Sequence, residues 1–137
     1  MVITIETLVQ SSLQRTWEAW TTPSDIVQWN FASPDWCCPS ANVDLRVGGT
    51  YRARMEAKDG SFGFDFEATI TKLEAPTLLE SSMGDGRTVQ VSFAQTPQGV
   101  LVRESFDAED ENSAEMQRQG WQAILDNFRL RVESKPN

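Results

Sequence analysis

No histidine occurs anywhere in the chain. That absence removes the Ser-His-Asp and Cys-His nucleophile systems, the His-bearing zinc sites and the two-His iron triad. Cysteine is almost absent: Cys37 and Cys38 are the only two, and they are adjacent. Neighbouring cysteines rarely satisfy disulfide geometry and two ligands do not complete a zinc site, so no metal and no cofactor is expected. Nothing beside them suggests an activated thiolate, and an unstapled chain with a reduced vicinal pair is expected in the cytoplasm. Met1-Val2-Ile3-Thr4-Ile5-Glu6 has no basic flank and no long apolar run, so no signal peptide is expected. No stretch approaches the roughly 18 apolar residues of a membrane span. Basic residues are scarce, 12 Lys+Arg against 20 Asp+Glu, for a net charge of −8. A phosphate-backbone binder wants a basic face, so nucleic acid is not an expected partner.

What is present suffices for one domain spanning residues 1–137. A chain of this size buries about two-thirds of its unfolded surface. With 39% hydrophobic and 23% charged residues it reads as a globule rather than a disordered segment.

The hydrophobic periods order the elements. Residues 2–9 alternate as a strand, with Ile3, Ile5 and Val9 on one side. Ser11 or Ser12 can cap a short helix that puts Leu13, Trp17 and Trp20 on one face. Thr22-Pro23-Ser24-Asp25 restarts a helix with Ile26 and Trp29 as its apolar face. Residues 30–41 hold no period and read as an irregular loop carrying Phe31, Trp36, Cys37 and Cys38. Six short strands then follow, over 43–47, 50–57, 62–73, 78–83, 88–94 and 100–106, with turns at Gly48-Gly49, Lys58-Asp59-Gly60, Gly84-Asp85-Gly86 and Pro97-Gln98-Gly99. Connections this short require antiparallel neighbours. After an acidic linker, Asn112 or Ser113 can cap a long helix to about Glu133, with Met116, Trp121, Ile124, Leu125, Phe128 and Val132 as its stripe. The tail from Ser134 on is expected to fray. The sum is α+β: a curved antiparallel sheet of about seven strands gripping the C-terminal helix, with two short helices after the first strand.

Within this order, the Trp-Glu-Ala-Trp of residues 17–20, residues 22–29, Val43-Asp44-Leu45-Arg46-Val47-Gly48-Gly49-Thr50-Tyr51, Asp59-Gly60 and Gly120-Trp121-Gln122-Ala123-Ile124-Leu125-Asp126-Asn127 resemble the START-like SRPBCC superfamily. They are most similar to its branch named after the activator of the heat-shock-protein-90 ATPase. The resemblance runs essentially end to end. It implies a helix-grip, birch-pollen-allergen-like fold with a cavity between the curved sheet and the last helix. A superfamily of ligand carriers and cyclases implies no single activity. The co-chaperone that names the branch carries an additional N-terminal domain, so a chaperone partner is not expected; a homodimer is compatible with the domain's size.

Several residues could carry chemistry. Glu104 shares the parity of Val100, Val102 and Phe106, so a regular strand aims its carboxyl into the apolar interior, where burial raises its pKa and makes a general acid or base without histidine. An ion pair with an arginine, or a bulge turning Glu104 outward, would cancel that. Trp29, Phe31 and Trp36 would stack an aromatic ligand as a lid, or merely seal the core. Tyr51, Met55, Phe64, Phe66, Phe93, Met116 and Trp121 are cavity wall by the resemblance, or ordinary core. Gly120, at about 1 kcal/mol relative to Ala in mid-helix, points either to space for a ligand or to close approach of helix and strand. Asp44 with Arg46 reads as a surface salt bridge, and Arg52 with Arg54 as a solvated basic stripe, the latter alternatively as an anion site for a ligand carboxylate. The leading functional expectation is binding of a small aromatic, polyketide-like or lipid-like ligand. The alternatives are a small cyclase or hydrolase using Glu104, and a co-chaperone-like interaction domain.

Overall fold

In the computed structural model, which describes residues 1–134, the first strand is β1 (Val2–Val9). Its alternation holds, since Ile3, Ile5 and Val9 are buried while Thr4 and Glu6 face solvent. Ser12 caps α1 (Leu13–Thr21), its hydroxyl accepting from the Arg15 backbone N–H at 3.1 Å. The restarted helix is a single turn, α2 (Pro23–Ile26), with Pro23 at its start. Six strands follow: β2 (Trp36–Val43), β3 (Thr50–Ala57), β4 (Gly63–Glu74), β5 (Leu78–Met83), β6 (Thr88–Thr96) and β7 (Gly99–Asp107). The last element is α3 (Ala114–Ser134). Of the tail expected to fray from Ser134 on, Ser134 itself is the last residue of α3, and residues 135–137 lie outside the described residues.

The strands form one antiparallel sheet in the order β1-β7-β6-β5-β4-β3-β2, curled into a half-barrel around α3. Hairpins link β2 through β7 in sequence, and β1 closes the other side by pairing with β7, which sets Ile5 opposite Glu104.

Strand β2 corrects the expectation. The irregular loop 30–41 ends in it, and the alternating 43–47 segment is mostly turn, with Leu45 and Val47 exposed. Two physical facts explain the shift. β2 is an edge strand with a register break between Cys37 and Ser40, so Pro39, which has no N–H to give, is tolerated there. The turn is tight: a Cβ on Gly49 would sit 2.0 Å from the Asp44 carbonyl oxygen, and Gly48 has φ +88°. Sequence alternation across 43–47 is therefore incidental to a turn that needs two glycines.

α3 buries Gln117, Leu125, Phe128 and Val132. Met116, expected on the stripe, is instead 62% exposed. The neighbouring Gln117 takes the inward position because its amide ties down the linker: Nε2 donates to the carbonyls of Glu109 and Asn112, and Oε1 accepts the Glu109 N–H at 2.9 Å. Gly120 does not answer to a close approach of helix and strand, since a Cβ there meets nothing within 4 Å. Gly120→Ala is therefore expected to stabilise the protein by about 1 kcal/mol, read as a rise of a few degrees in Tm. An unchanged or lower Tm would show that position 120 is constrained by something other than packing.

Two devices hold the helices. Trp20, Trp29 and Phe128 meet with ring centroids about 5 Å apart, and Trp17 and Trp20 both pack edge-on against Phe93. Beside them, the Asp25 carboxylate of α2 accepts two bonds of 2.9 Å from Arg15 of α1 and one of 3.2 Å from Arg131 of α3. Both guanidiniums hold the Asp25 carboxyl below the usual carboxylate range, the Arg15 bonds most of all.

Candidate functional site

The inner face of the sheet and the helices do not close completely. A cavity of about 240 Å³ remains between β3–β7 on one side and Trp20, Trp29, Asn30, Trp121 and Ile124 on the other. Its wall runs from the buried side chains of Trp20, Trp29, Tyr51, Leu79, Val91 and Glu104 to the more exposed Phe64, Met83, Arg87 and Trp121, where it opens.

β7 is regular where it matters. Val100, Val102, Glu104 and Phe106 are all buried, and the pairing of β7 with both β1 and β6 runs without a register shift. No bulge turns Glu104 outward. Its neighbours in register are apolar, Ile5 and Val91. Glu104 is 6% exposed and lines the cavity, and among the described residues none hydrogen-bonds to it or ion-pairs with it. Burial alone pushes its carboxyl up to about 8 from an ordinary 4.5, so at neutral pH it is mostly the protonated acid. The arginine partner weighed from sequence is not there.

The other polar groups on the wall are mostly engaged. The Tyr51 hydroxyl donates to the Trp20 carbonyl at 2.6 Å, and burial beside Glu104 pushes its pKa well up. Trp29 Nε1 donates to the Ala19 carbonyl at 2.9 Å. Arg87 is turned to Asp85, Nε to Oδ2 at 2.7 Å. Asn30 and Ser81 are both buried on the wall.

Of the residues singled out from sequence, the structure brings Trp29, Tyr51, Met55, Phe64, Phe66, Glu104 and Trp121 together on this wall. Trp121 also stacks flat on Phe106, centroids 3.9 Å apart, which fixes the helix to the sheet. The remaining five lie elsewhere. Phe93 is sealed beneath Trp17 and Trp20. Met116 is exposed on α3, and neither it nor Gly120 lines the cavity. Phe31 is held by its carbonyl, which accepts from Asn127 Nδ2 at 2.6 Å, and Trp36 packs with Phe62 and Phe64 at the end of β4. The lid of three aromatics is thus reduced to Trp29, because β2 carries Trp36 off along the sheet edge.

Sequence reading missed Asn30, Ser81 and Arg87 as wall residues. Ser81 had a signal, since it alternates with Leu79 and Met83 on β5; Asn30 and Arg87 sit in connections that carry no period.

The candidates outside the cavity resolve simply. Arg52 and Arg54 reach Asp65 at 3.2 and 3.7 Å, and Arg54 also reaches Glu56 at 2.9 Å, so this outer face is a paired stripe and not an anion site. Asp44 and Arg46 form an exposed pair of 2.9 Å, of the kind that contributes about 0–1 kcal/mol. Burial pushes the Cys38 thiol up to about 11, which leaves it protonated and unreactive. Among the described residues no cluster of three or more metal-ligating side chains forms, and no helix is long and apolar enough to cross a membrane.

Comparison with known proteins agrees with this architecture. The family described as "Activator of Hsp90 ATPase homolog 1-like protein" matches residues 10–133. The solution structure of an AHSA1-like protein from Aeromonas hydrophila is 48% identical, with 98% of this chain and 93% of that one covered, at a TM-score of 0.91. The solution structure of Chr148 from Cytophaga hutchinsonii is 41% identical over 96% of this chain and 92% of its own, at 0.83. Protein NE0264 from Nitrosomonas europaea shares the fold alone, with 16% identity, 98% and 95% coverage and a TM-score of 0.85. No curated protein sequence matches the chain.

Proposed function

Because this chain belongs to the Activator of Hsp90 ATPase homolog 1-like family, a helix-grip family, we propose that it binds a small hydrophobic ligand in the cavity between sheet and helices. One observation carries the reading: an aromatic-lined space of about 240 Å³ with a single unpartnered carboxyl, Glu104, on its wall. Ligand sites have this composition, mostly apolar with few placed polar groups. An empty apolar cavity of about 150 Å³ accepts benzene, so this one suits a single ring with a short side chain rather than a polycyclic or a long acyl chain. An acid–base enzyme would use the same carboxyl, but among the described residues no second titratable group hydrogen-bonds to it, so binding is the reading preferred.

Filling the space tests the proposal. Ser81 points inward from β5 and shares no side-chain hydrogen bond with a described residue, so Ser81→Leu adds apolar volume without orphaning a partner. Single-ring ligands at 100 times their Kd should raise the natural chain's stability by about 2.7 kcal/mol, which is several degrees in a thermal-shift assay. Ser81→Leu should fold and lose that shift. A full shift in the variant, or none in the natural chain, would overturn the reading.

A further inference from the structure

We infer that the ligand of this cavity is a small hydrophobic amine, an organic cation that supplies Glu104 with the positive partner its own fold does not provide; this rests on the cavity reading above and names its ligand class. The argument begins with the carboxyl. A buried acid without a partner is costly in a folded chain, and an ammonium group is the complement that converts it into a charge-assisted pair. The protein has a cation on the same wall, Arg87, and directs it elsewhere: Asp85 holds its Nε at 2.7 Å.

The rest of the wall points the same way. Trp20, Trp29, Trp121 and Phe66 surround the space, and aromatic faces attract a desolvated cation. The polar edges of Trp29 and Tyr51 already donate to backbone carbonyls, so neither supplies Glu104 with a bond. The charged or titratable groups on the wall are Glu104 from β7, Tyr51 from β3 and Arg87 from the turn before β6; among the described residues β4, β5, α1 and α3 present none there. The net charge of −8 disfavours the approach of an anionic ligand and favours that of a cation, and inside the cavity only the cation gains a charge-assisted partner when Glu104 gives up its proton.

The chemistry of capture balances simply. The protonated Glu104 releases its proton to solvent as the ammonium arrives, leaving a carboxylate–ammonium pair. A neutral ligand would instead accept a hydrogen bond from the acid and release nothing.

Two isosteric probes separate these cases: 2-phenylethylamine and 2-phenylethanol, titrated calorimetrically at pH 7 into the natural chain and into Glu104→Gln. The amine should bind the natural chain about tenfold or more tightly than the alcohol, and the preference should collapse to near equality in the variant. Titration of the natural chain in two buffers of different ionisation enthalpy needs no variant; it should show proton release with the amine and none with the alcohol. Equal affinities in the natural chain, a preference that survives Glu104→Gln, or amine binding without proton release would each overturn the inference while leaving the cavity reading in place. Failure of both probes to bind would overturn both.

Discussion

Between pH 5 and pH 9 the stability of Glu104→Gln is expected to gain on that of the natural chain by about 4 kcal/mol. In the unfolded chain the Glu104 carboxyl ionises at its ordinary 4.5, whereas in the folded chain burial holds it to about 8. Between those values the folded state carries a proton that the unfolded state has released. Folding is then coupled to proton uptake and weakens as pH rises, by about 1.4 kcal/mol per unit, until ionisation in the folded state is complete. A glutamine removes the titration and keeps nearly the same volume, and comparing two pH values cancels the fixed cost of its amide. Denaturant unfolding of both proteins at pH 5, 7 and 9 measures the effect. Parallel pH profiles would mean that Glu104 reaches solvent or a partner in solution, and the cavity would lose its defining group.

Asp25→Ala should destabilise the protein by about 3–5 kcal/mol and lower its Tm by about 10 °C or more. The loss comes less from the missing attraction than from what is left behind: Arg15 and Arg131 are 12% and 18% exposed, and both would remain largely buried without an anion. One carboxylate here joins all three helices. Replacing the cluster as a whole, with Asp25→Leu, Arg15→Met and Arg131→Met together, should recover most of the loss because no charge is stranded. In the natural chain the pairing stabilises at every pH above the ordinary carboxylate value and is lost as pH falls through the lowered Asp25 value. Asp25→Ala should lack that acid-side component. A loss below about 1 kcal/mol would place Asp25 with the exposed pairs of the outer face.

Particular residues show how much could be read in advance. The inward aim of Glu104 follows from the parity of Val100, Val102 and Phe106 and is found as read, because β7 pairs with both β1 and β6 without a register shift. The hairpins and the Ser12 cap were legible for the same reason: each is settled within a few residues. The Asn112 or Ser113 cap proved to be Ser113, whose hydroxyl accepts the Met116 N–H at 3.1 Å. Where a reading failed, a distant neighbour overrode a local pattern. Met116 had the right spacing but yielded to Gln117, whose amide answers to the linker. Trp36 had the right chemistry for a lid but belongs to an edge strand. Asp25 reads from sequence only as part of a helix start, and its actual partners lie 10 and 106 positions away.

By itself the sequence determined the succession of strands and helices apart from β2, the inward side chains of β1, β3, β6 and β7, the likeness to the helix-grip superfamily and the exclusion of histidine chemistry. Periodicity, capping and turn preference are properties of short segments, so one chain reveals them. The tertiary structure alone decided that Phe93 is sealed while Phe66 is not, that Arg87 turns to Asp85, and that Glu104 has no partner among the described residues. Those outcomes depend on which strands become neighbours and how closely three helices settle on a curled sheet. A cavity is what packing leaves unfilled, and no local pattern encodes its size.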